Sequence, residues 1–491
     1  MSEQFDLVII GAGPGGYSTA LRAAELGMKV ALVERDATVG GTCLNRGCIP
    51  SKALITDTVH RAAELGVNAS VNGIDFGTLR DYRLRVVKTM VGGLAGLLAH
   101  RGITVFRANA AFHADETAPA TSNHIVHLVP SPDQSDILTY HKADVPEPSG
   151  PTMDLTATNI VIATGAKPRP LPGNPFAGAL IDSTQALEVN EFPSSAVIIG
   201  AGAIALEFAS MWNAAGSKVT LLIRKDRVLS AWDRRAGTTL TRELKRHGVN
   251  IITRASVTHV DTGANLGATV HYTREGQDGE QSVWGEIALV AIGRDPITDP
   301  AWGVTIDDHG HVATDAYGRT DKPGVWAVGD VTAGHALAHR AFEQGIVIAE
   351  TIAGLNPKPV DEATVPQIVF SFPEAASVGL TVEQAQARED LIEIKETNYP
   401  MLANARMLMS GTAGSLTIVS GCDAANPDTP RVLGVHMVSQ MASDIIAEAE
   451  QLVGNHVPLA DAARLVHPHP TFSETLGEAL LKADGRPLHT R

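Results

Sequence analysis

Short apolar runs bounded by glycine set the rhythm of the chain. Residues 5–10 (FDLVII) form one, too short for an ordinary helix and apolar enough to predict a strand buried on both faces. They run directly into Gly11-Ala-Gly13-Pro-Gly-Gly16. Small and apolar residues from 17 to 26 then predict a helix, which Gly27 ends. Residues 29–33 predict the next strand, with Glu34 behind it. The pattern returns 189 positions later. A strand at 195–199 meets the turn Gly200-Ala-Gly202-Ala-Ile-Ala205, a helix at 206–215, Gly216, and a strand at 219–222. In both copies the closing glycine falls 16 residues after the first glycine of the turn. One such unit arises by chance in a glycine-rich chain; two, each in the right order of elements, are a specific signal.

The repeat carries its own chemistry. Glycines at G-x-G-x-x-G allow a tight turn and a close approach of backbone to a pyrophosphate, and the following helix offers free N–H groups and a partial positive charge. Two copies predict two dinucleotide sites and electron transfer between two cofactors. The copies differ downstream. Twenty-three residues after Gly11 stands Glu34, suited to accept hydrogen bonds from a ribose diol. Twenty-three after Gly200 stands Ile223, followed by Arg224-Lys225-Asp226-Arg227. Cations there favour a 2′-phosphate, which leans the second site toward NADP(H); a solvated basic loop is the alternative reading.

Composition narrows the class. With 491 residues the chain is long enough for three or four domains, and 44% hydrophobic with 19% charged residues excludes disorder and fibrous architecture. The balance of 39 basic against 54 acidic residues, net −15, argues against nucleic acid or an anionic membrane as partner. The longest uncharged runs, residues 7–21 and 407–422, hold 15 and 16 residues, short of the ~18 of a membrane span. The start, MSEQFDLVIIGAG, shows no basic leader, predicting a cytoplasmic protein with no lipoyl domain fused ahead of its first strand.

Of three cysteines, Cys43 and Cys48 lie five apart just after the first unit, in GGTCLNRGCIPSK. A close pair in a cysteine-poor chain points to redox or metal chemistry. A zinc site needs further Cys or His ligands, and none stands nearby, so no metal site is expected. Lys52 lies four residues past Cys48, one helical turn on, where its charge favours a thiolate. Cys422, beside Gly421 and Asp423, reads as an unreactive loop thiol. Near the other end, His469-Pro-Thr-Phe-Ser-Glu474 supplies an imidazole suited to proton transfer at neutral pH and a carboxylate to fix its tautomer. Pro470 disfavours a helical His469, so the pair is expected to span a turn entering a helix.

At these motifs the chain resembles the FAD-dependent pyridine nucleotide–disulfide oxidoreductases, over nearly its whole length. GGTCLNRGCIPSK resembles their redox-active disulfide segment. ATGAKPRPLPG (163–173) and VAIGRDP (290–296) resemble their two crossing segments, VWAVGDVTAGHALAHRAFEQG (325–345) their second FAD motif, and HPHPTFSETLGEAL (467–480) their C-terminal catalytic motif. CLNRGCIPSKAL, PEAASVGLT, VLGVHMVS and the tail GEALLKADGRPLHTR are most similar to the family's branch of dihydrolipoyl dehydrogenases. The resemblance implies an α/β fold: two Rossmann-like dinucleotide-binding domains plus a C-terminal α+β dimerisation domain. The expected division is FAD-binding 1–165, NAD(P)-binding 166–290, a central segment 291–355 completing the FAD site, and an interface domain 356–491, with a Pro-rich insertion near 131–151.

It also implies roles. Cys43 meets the substrate and Cys48 faces the flavin, the two forming a redox disulfide. Lys52 lies near the flavin, paired with Glu207. Gly11, Gly13, Gly16, Glu34, Thr164, Asp330, Ala338 and His339 hold FAD. Gly200, Gly202, Ala205, Glu207, Ile223, Arg224 and Gly293 belong to the nicotinamide nucleotide site. His469, oriented by Glu474, is the acid/base and comes from the partner of a homodimer. The implied reaction is oxidation of dihydrolipoamide through Cys43–Cys48 and FAD with reduction of NAD(P)+, and the implied partner is the lipoyl-bearing acyltransferase of a 2-oxoacid dehydrogenase complex or a small dithiol or disulfide. An NADPH-dependent reductase of a low-molecular-weight disulfide, similar to glutathione reductase, is the competing expectation. A non-catalytic flavin-holding subunit and a flavin-only diaphorase are further alternatives. His467, His335 and His339 are read as structural or supporting groups.

Overall fold

A computed structural model of the chain describes residues 3–58, 75–114, 123–142, 145–263 and 267–490. It divides into two compact units. Met1–Ala53, Arg80–Pro168 and Arg294–Glu362 form the first; Leu54–Leu79, Arg169–Gly293 and Ala363–Arg491 form the second.

In the first unit, strand Glu3–Ile10 lies between Val30–Glu34 and Met153–Ile162, parallel to both. Val325–Ala327 adds a further parallel strand beside Met153–Ile162. Central strands with both faces covered need apolar side chains at every position. Leu7 and Ile9 pack with Ala20, Ala23, Val161 and Ile348 on the helical face, while Val8 and Ile10 join Phe106, Val126 and Leu155 on the other. Helices Pro14–Glu25 and Ala338–Ile352 meet closely at Gly345, where a Cβ would lie 2.3 Å from Ser18 Oγ. The Pro-rich insertion expected near 131–151 contributes two strands. Leu138–Lys142 and Val145–Pro148 extend the sheet at its edge beyond Thr104–Arg107. The segments expected to cross are strands Ala166–Pro168 and Arg294–Pro296, paired antiparallel.

The second unit repeats the motif. A parallel sheet runs in the order Leu180–Ile181, Ile287–Val290, Ser195–Ile199, Lys218–Ile223, Asn250–Thr253. An antiparallel sheet of Ala255–Asp261, Ala268–Arg274 and Gln281–Gly285 stands beside it. The C-terminal part is a five-stranded antiparallel sheet, ordered Gln367–Val369, Glu374–Gly379, Asn426–Ser439, Ser415–Asp423, Leu391–Tyr399. Helices Ala442–Gly454 and Glu474–Ala483 bury Ile446, Ala449, Leu476 and Leu480 in the same core as Ile418 and Val435 of this sheet. Cys422 is fully buried within strand Ser415–Asp423, so it is a core thiol and not a loop thiol. Its partner across the sheet is Ile392 of strand Leu391–Tyr399. No helix among the described residues is long and apolar enough to cross a membrane.

Candidate active site

The parallel strands of the first unit end at one edge of the sheet, and the residues expected to hold a nucleotide follow them there. Such an edge is where open α/β sheets bind nucleotides. Gly11 follows Ile10 with φ +106°, and a Cβ on it would lie 2.3 Å from Ala163 O. At Gly16 a Cβ would lie 1.9 Å from Gly11 O. Gly13 caps helix Pro14–Glu25 without any side-chain bond to the helix amides. A Cβ there would meet only Gly41 Cα, at 3.8 Å. The turn therefore leaves helix N–H groups open to an anion. Glu34 is buried at the end of the neighbouring strand. Its Oε2 accepts from Ala12 N–H at 2.8 Å and its Oε1 from Asp36 N–H at 2.9 Å. Burial pushes its pKa up, partly offset by those two amides.

Gly41 starts the helix Gly41–Arg46, which carries Cys43; helix Cys48–Thr58 carries Cys48 and Lys52. This start lies flush against the glycine turn, since a Cβ on Gly41 would lie 2.6 Å from Gly13 Cα. Cys43 and Cys48 are half-buried and joined by a side-chain hydrogen bond, a pair placed to close into a disulfide. Cys48's side chain and burial push the Cys43 thiol well up, and the charge of Lys52 pulls it down. Tyr17 was not singled out by its motif. Its phenol is pushed up to about 12, first by burial and then by the two cysteines, and its ring meets Phe342 at 5.7 Å.

Thr164 follows Ile162 and donates from Oγ1 to Ile297 O at 2.6 Å. Asp330 follows Ala327 in the short helix Gly329–Val331. Burial pushes its pKa up against the charges of Arg294 and Arg340. Arg340 is itself held by Glu362 at 2.5 Å and by Ala333 O. Ala338 and His339 open helix Ala338–Ile352. These residues fit a flavin dinucleotide: an uncapped helix end behind a turn closed to a Cβ at Gly11 and Gly16 and open at Gly13, a buried carboxylate beyond it, and a thiol pair alongside.

The second turn is similar at its first two glycines but accommodates the Cβ of Ala205 at the third position. Gly200 takes φ +142°, and a Cβ would lie 2.2 Å from Ala291 O; around Gly202 a Cβ would meet nothing within 4 Å. Ala205 is buried, and Gly293 takes φ +132° and accepts from Arg169 N–H. Ile223 is buried at its strand end, while Arg224 and Lys225 are exposed just past it. Arg227 departs from the expected cationic trio. It pairs with Asp226 at 3.2 Å and donates to Ser230 O at 3.1 Å, which anchors the loop. Glu207 is buried and accepts from Phe370 N–H at 3.2 Å. It belongs to the second unit and Lys52 to the first.

His469 and Glu474 meet as expected, with Glu474 opening helix Glu474–Ala483. His469 Nδ1 lies 2.7 Å from Glu474 Oε2, leaving Nε2 outward on a ring 76% exposed. Asn404, which carries no motif, donates to Glu474 Oε1 at 2.7 Å and to Thr471 O at 3.0 Å. An Asn before a short helix signals a cap, and its Oδ1 does cap helix Ala405–Ser410. Nothing in the sequence signals its reach to a residue 70 positions on. His467 pairs with Glu448 at 2.8 Å, which raises its pKa.

Two dinucleotide turns, a thiol pair against the first and an oriented imidazole near the C-terminus define a nucleotide-linked disulfide oxidoreductase. The chain belongs to the pyridine nucleotide-disulphide oxidoreductases, which match residues 5–345, with their dimerisation domain matching residues 365–480. It is similar to the dihydrolipoyl dehydrogenase of Geobacillus stearothermophilus, at 33% identity over 99% of this chain and 97% of that one. The dihydrolipoyl dehydrogenase of Cupriavidus necator is 34% identical over the full length of both. Among solved structures, LpdA from Mycobacterium tuberculosis superposes with a TM-score of 0.83 at 25% identity, covering 98% of this chain and 99% of that one. The HOCl-induced flavoprotein disulfide reductase RclA from Escherichia coli, as its Cu(II) complex, gives 0.80 at 26% identity over 98% of this chain and 99% of that one.

Proposed function

We propose that the protein is a dihydrolipoyl dehydrogenase, working as a homodimer that oxidises the dithiol of dihydrolipoamide and reduces NAD(P)+. The observation that carries this reading is the Cys43–Cys48 pair on a helix start packed against the first glycine turn. In the oxidised enzyme a substrate thiolate attacks the Cys43 sulfur of a Cys43–Cys48 disulfide. The second substrate thiol then displaces Cys43, closing the substrate disulfide and leaving the enzyme as a dithiol. Each attacking thiol must lose its proton. His469 of the partner subunit accepts it at Nε2, while Glu474 holds Nδ1–H and stabilises the imidazolium. Lys52 stabilises thiolate charge on the pair. Bound FAD supplies the two-electron chemistry between this dithiol and the nicotinamide.

For FAD we assign Gly11, Gly13, Gly16, Glu34, Thr164, Asp330, Ala338 and His339, with Gly13 at the pyrophosphate and Glu34 at the ribose. Gly200, Gly202, Ala205, Glu207 and Gly293 line the nicotinamide nucleotide site. Buried Ile223 offers a ribose diol no acceptor, and exposed Arg224 and Lys225 suit a 2′-phosphate, so we lean to NADP(H). A lipoyl-bearing acyltransferase of a 2-oxoacid dehydrogenase complex is the partner this activity implies, and a cytoplasmic setting suits a dithiol that must cycle.

The same cations favour a second reading, NADPH-dependent reduction of a small disulfide. Steady-state rates with dihydrolipoamide and either NAD+ or NADP+, compared with glutathione disulfide and NADPH, separate the two. Lipoamide turnover supports the first; NADPH-driven disulfide reduction without it supports the second. Cys43→Ser abolishes either activity while sparing reduction of ferricyanide by NAD(P)H.

A further inference from the structure

Outside the redox machinery, one cluster of metal-ligating side chains is assembled by strand pairing. His259 and His271 stand directly opposite each other on the antiparallel strands Ala255–Asp261 and Ala268–Arg274. Their rings stack at 4.1 Å between centroids with an interplanar angle of 8°. Glu280 precedes the third strand. Donor atoms of His259, His271 and Glu280 all lie within 4.8 Å of one another.

The ring edges face two different carboxylates. Glu280 stands at the Nδ1 edges, 3.7 Å from His259 Nδ1 and 3.6 Å from His271 Nδ1. Asp261 stands at the Nε2 edges, 3.1 Å from His271 Nε2 and 3.9 Å from His259 Nε2. Thr258 donates to Glu280 Oε1 at 2.6 Å, fixing the carboxylate. We propose that His259 Nδ1, His271 Nδ1 and Glu280 bind a divalent transition cation of the Zn2+ class, with Asp261 as the outer carboxylate.

The chemistry fits at each shell. Two imidazoles and one carboxylate with a position open to water form a common donor set for Zn2+. Ligating imidazoles characteristically donate their other N–H to a carboxylate, which orients the ring and raises its basicity. Asp261 stands where that acceptor belongs for both rings. At Zn–N distances of about 2.0–2.1 Å, tetrahedral donors sit about 3.3 Å apart, so the stacked rings must tilt out of parallel for both Nδ1 lone pairs to reach one ion, a side-chain adjustment open to the exposed His259 ring. His271 is the less exposed ring, at 23% against 47% for His259, so the site opens on one side. The histidines come from a cross-strand pair twelve positions apart, with none of the short spacings that betray a metal site in sequence, and the expectation of no metal weighed only ligands near Cys43 and Cys48.

The test is a Zn2+ titration of the untagged flavin-loaded chain in a Cys43→Ser, Cys48→Ser background, so that thiolates do not compete. Bound zinc is counted after dialysis, and circular dichroism checks the fold of every variant. One Zn2+ per chain is expected, lost in His259→Ala with His271→Ala. Asp261→Asn should keep the stoichiometry and weaken affinity by about 10- to 100-fold. Should the double variant fail to fold, Glu280→Gln replaces it and should weaken binding at least tenfold. Absence of stoichiometric binding overturns the proposal, and so does zinc retained unchanged by the folded variants.

Discussion

Replacing Glu474 by glutamine removes one charge and almost no volume, and its consequence follows from four hydrogen bonds. Glu474 Oε2 faces His469 Nδ1 and Oε1 accepts from Asn404 Nδ2, both at 2.7 Å. Asn404 cannot turn its amide over without cost, because Nδ2 also serves Thr471 O and Oδ1 caps Met407 N–H. The substituted glutamine must then offer its carbonyl to Asn404 and its NH2 to His469. A donor opposite Nδ1 forces the proton onto Nε2, the atom that has to accept one. Restoring the productive tautomer costs one charge-assisted hydrogen bond, about 1.5–3 kcal/mol, or about 10- to 150-fold in rate. The assay is kcat/KM for dihydrolipoamide-dependent reduction of NAD(P)+ across pH. Ferricyanide reduction by NAD(P)H, which needs no proton acceptor at a dithiol, is the control. Glu474→Gln should lose that factor in the first activity and under about twofold in the second. Retention of dithiol activity within about threefold, with an unchanged pH profile, would refute the orientation argument.

Other consequences reach the nucleotide turns and the core. Gly16→Ala, whose Cβ would sit 1.9 Å from Gly11 O, should lose bound flavin and heat stability together. Gly13→Ala has room in the fold and should keep the melting temperature of the apoprotein while flavin affinity falls at least about tenfold; full flavin occupancy in both would contradict the cradle. Arg224→Ala with Lys225→Ala should lower kcat/KM for NADP+ by about tenfold, near 1.4 kcal/mol, and leave NAD+ within about threefold. A parallel fall in both would show that the loop does not read the phosphate. Fully buried His436 donates from Nε2 to Leu380 O and accepts at Nδ1 from Ser377. Burial lowers its pKa, against the charges of Asp233, Glu383 and Glu396 and the bond to Leu380 O. The unfolded chain therefore takes up this proton first. Stability should fall as pH drops below about 6.5, by up to about 1.4 kcal/mol per pH unit, until the folded-state pKa is passed. Thermal melts at pH 7.5 and 5.5 should show a larger loss in the wild type than in His436→Gln; equal losses would count against it.

What could be read from the sequence was what local spacing determines. Gly11, Gly16 and Gly200 were legible because the glycine spacing repeats between a strand and a helix, although the carbonyls that require Gly11 and Gly200, those of Ala163 and Ala291, lie far along the chain. His469 and Glu474 are five residues apart, and Pro470 alone excludes the helix that would separate them. Asn404 was invisible because its function lies in a bond across 70 residues. Arg227 looked like a free cation because sequence shows charge and not the Ser230 carbonyl that captures it. The Pro-rich edge strands lacked alternation, having no buried face along Val145–Pro148 to impose one. Cys422 was misread because flanking Gly421 and Asp423 resemble a turn, while its place in a buried strand depends on pairing with Ile392, thirty residues back.

The relay through Cys43 and Cys48 is tested most directly by anaerobic reduction of the oxidised holoenzyme with dithionite, followed by flavin absorbance. A disulfide in series with the flavin predicts two equivalents per flavin for full bleaching in the wild type and one in Cys43→Ser. Complete bleaching of the wild type by a single equivalent would contradict the account.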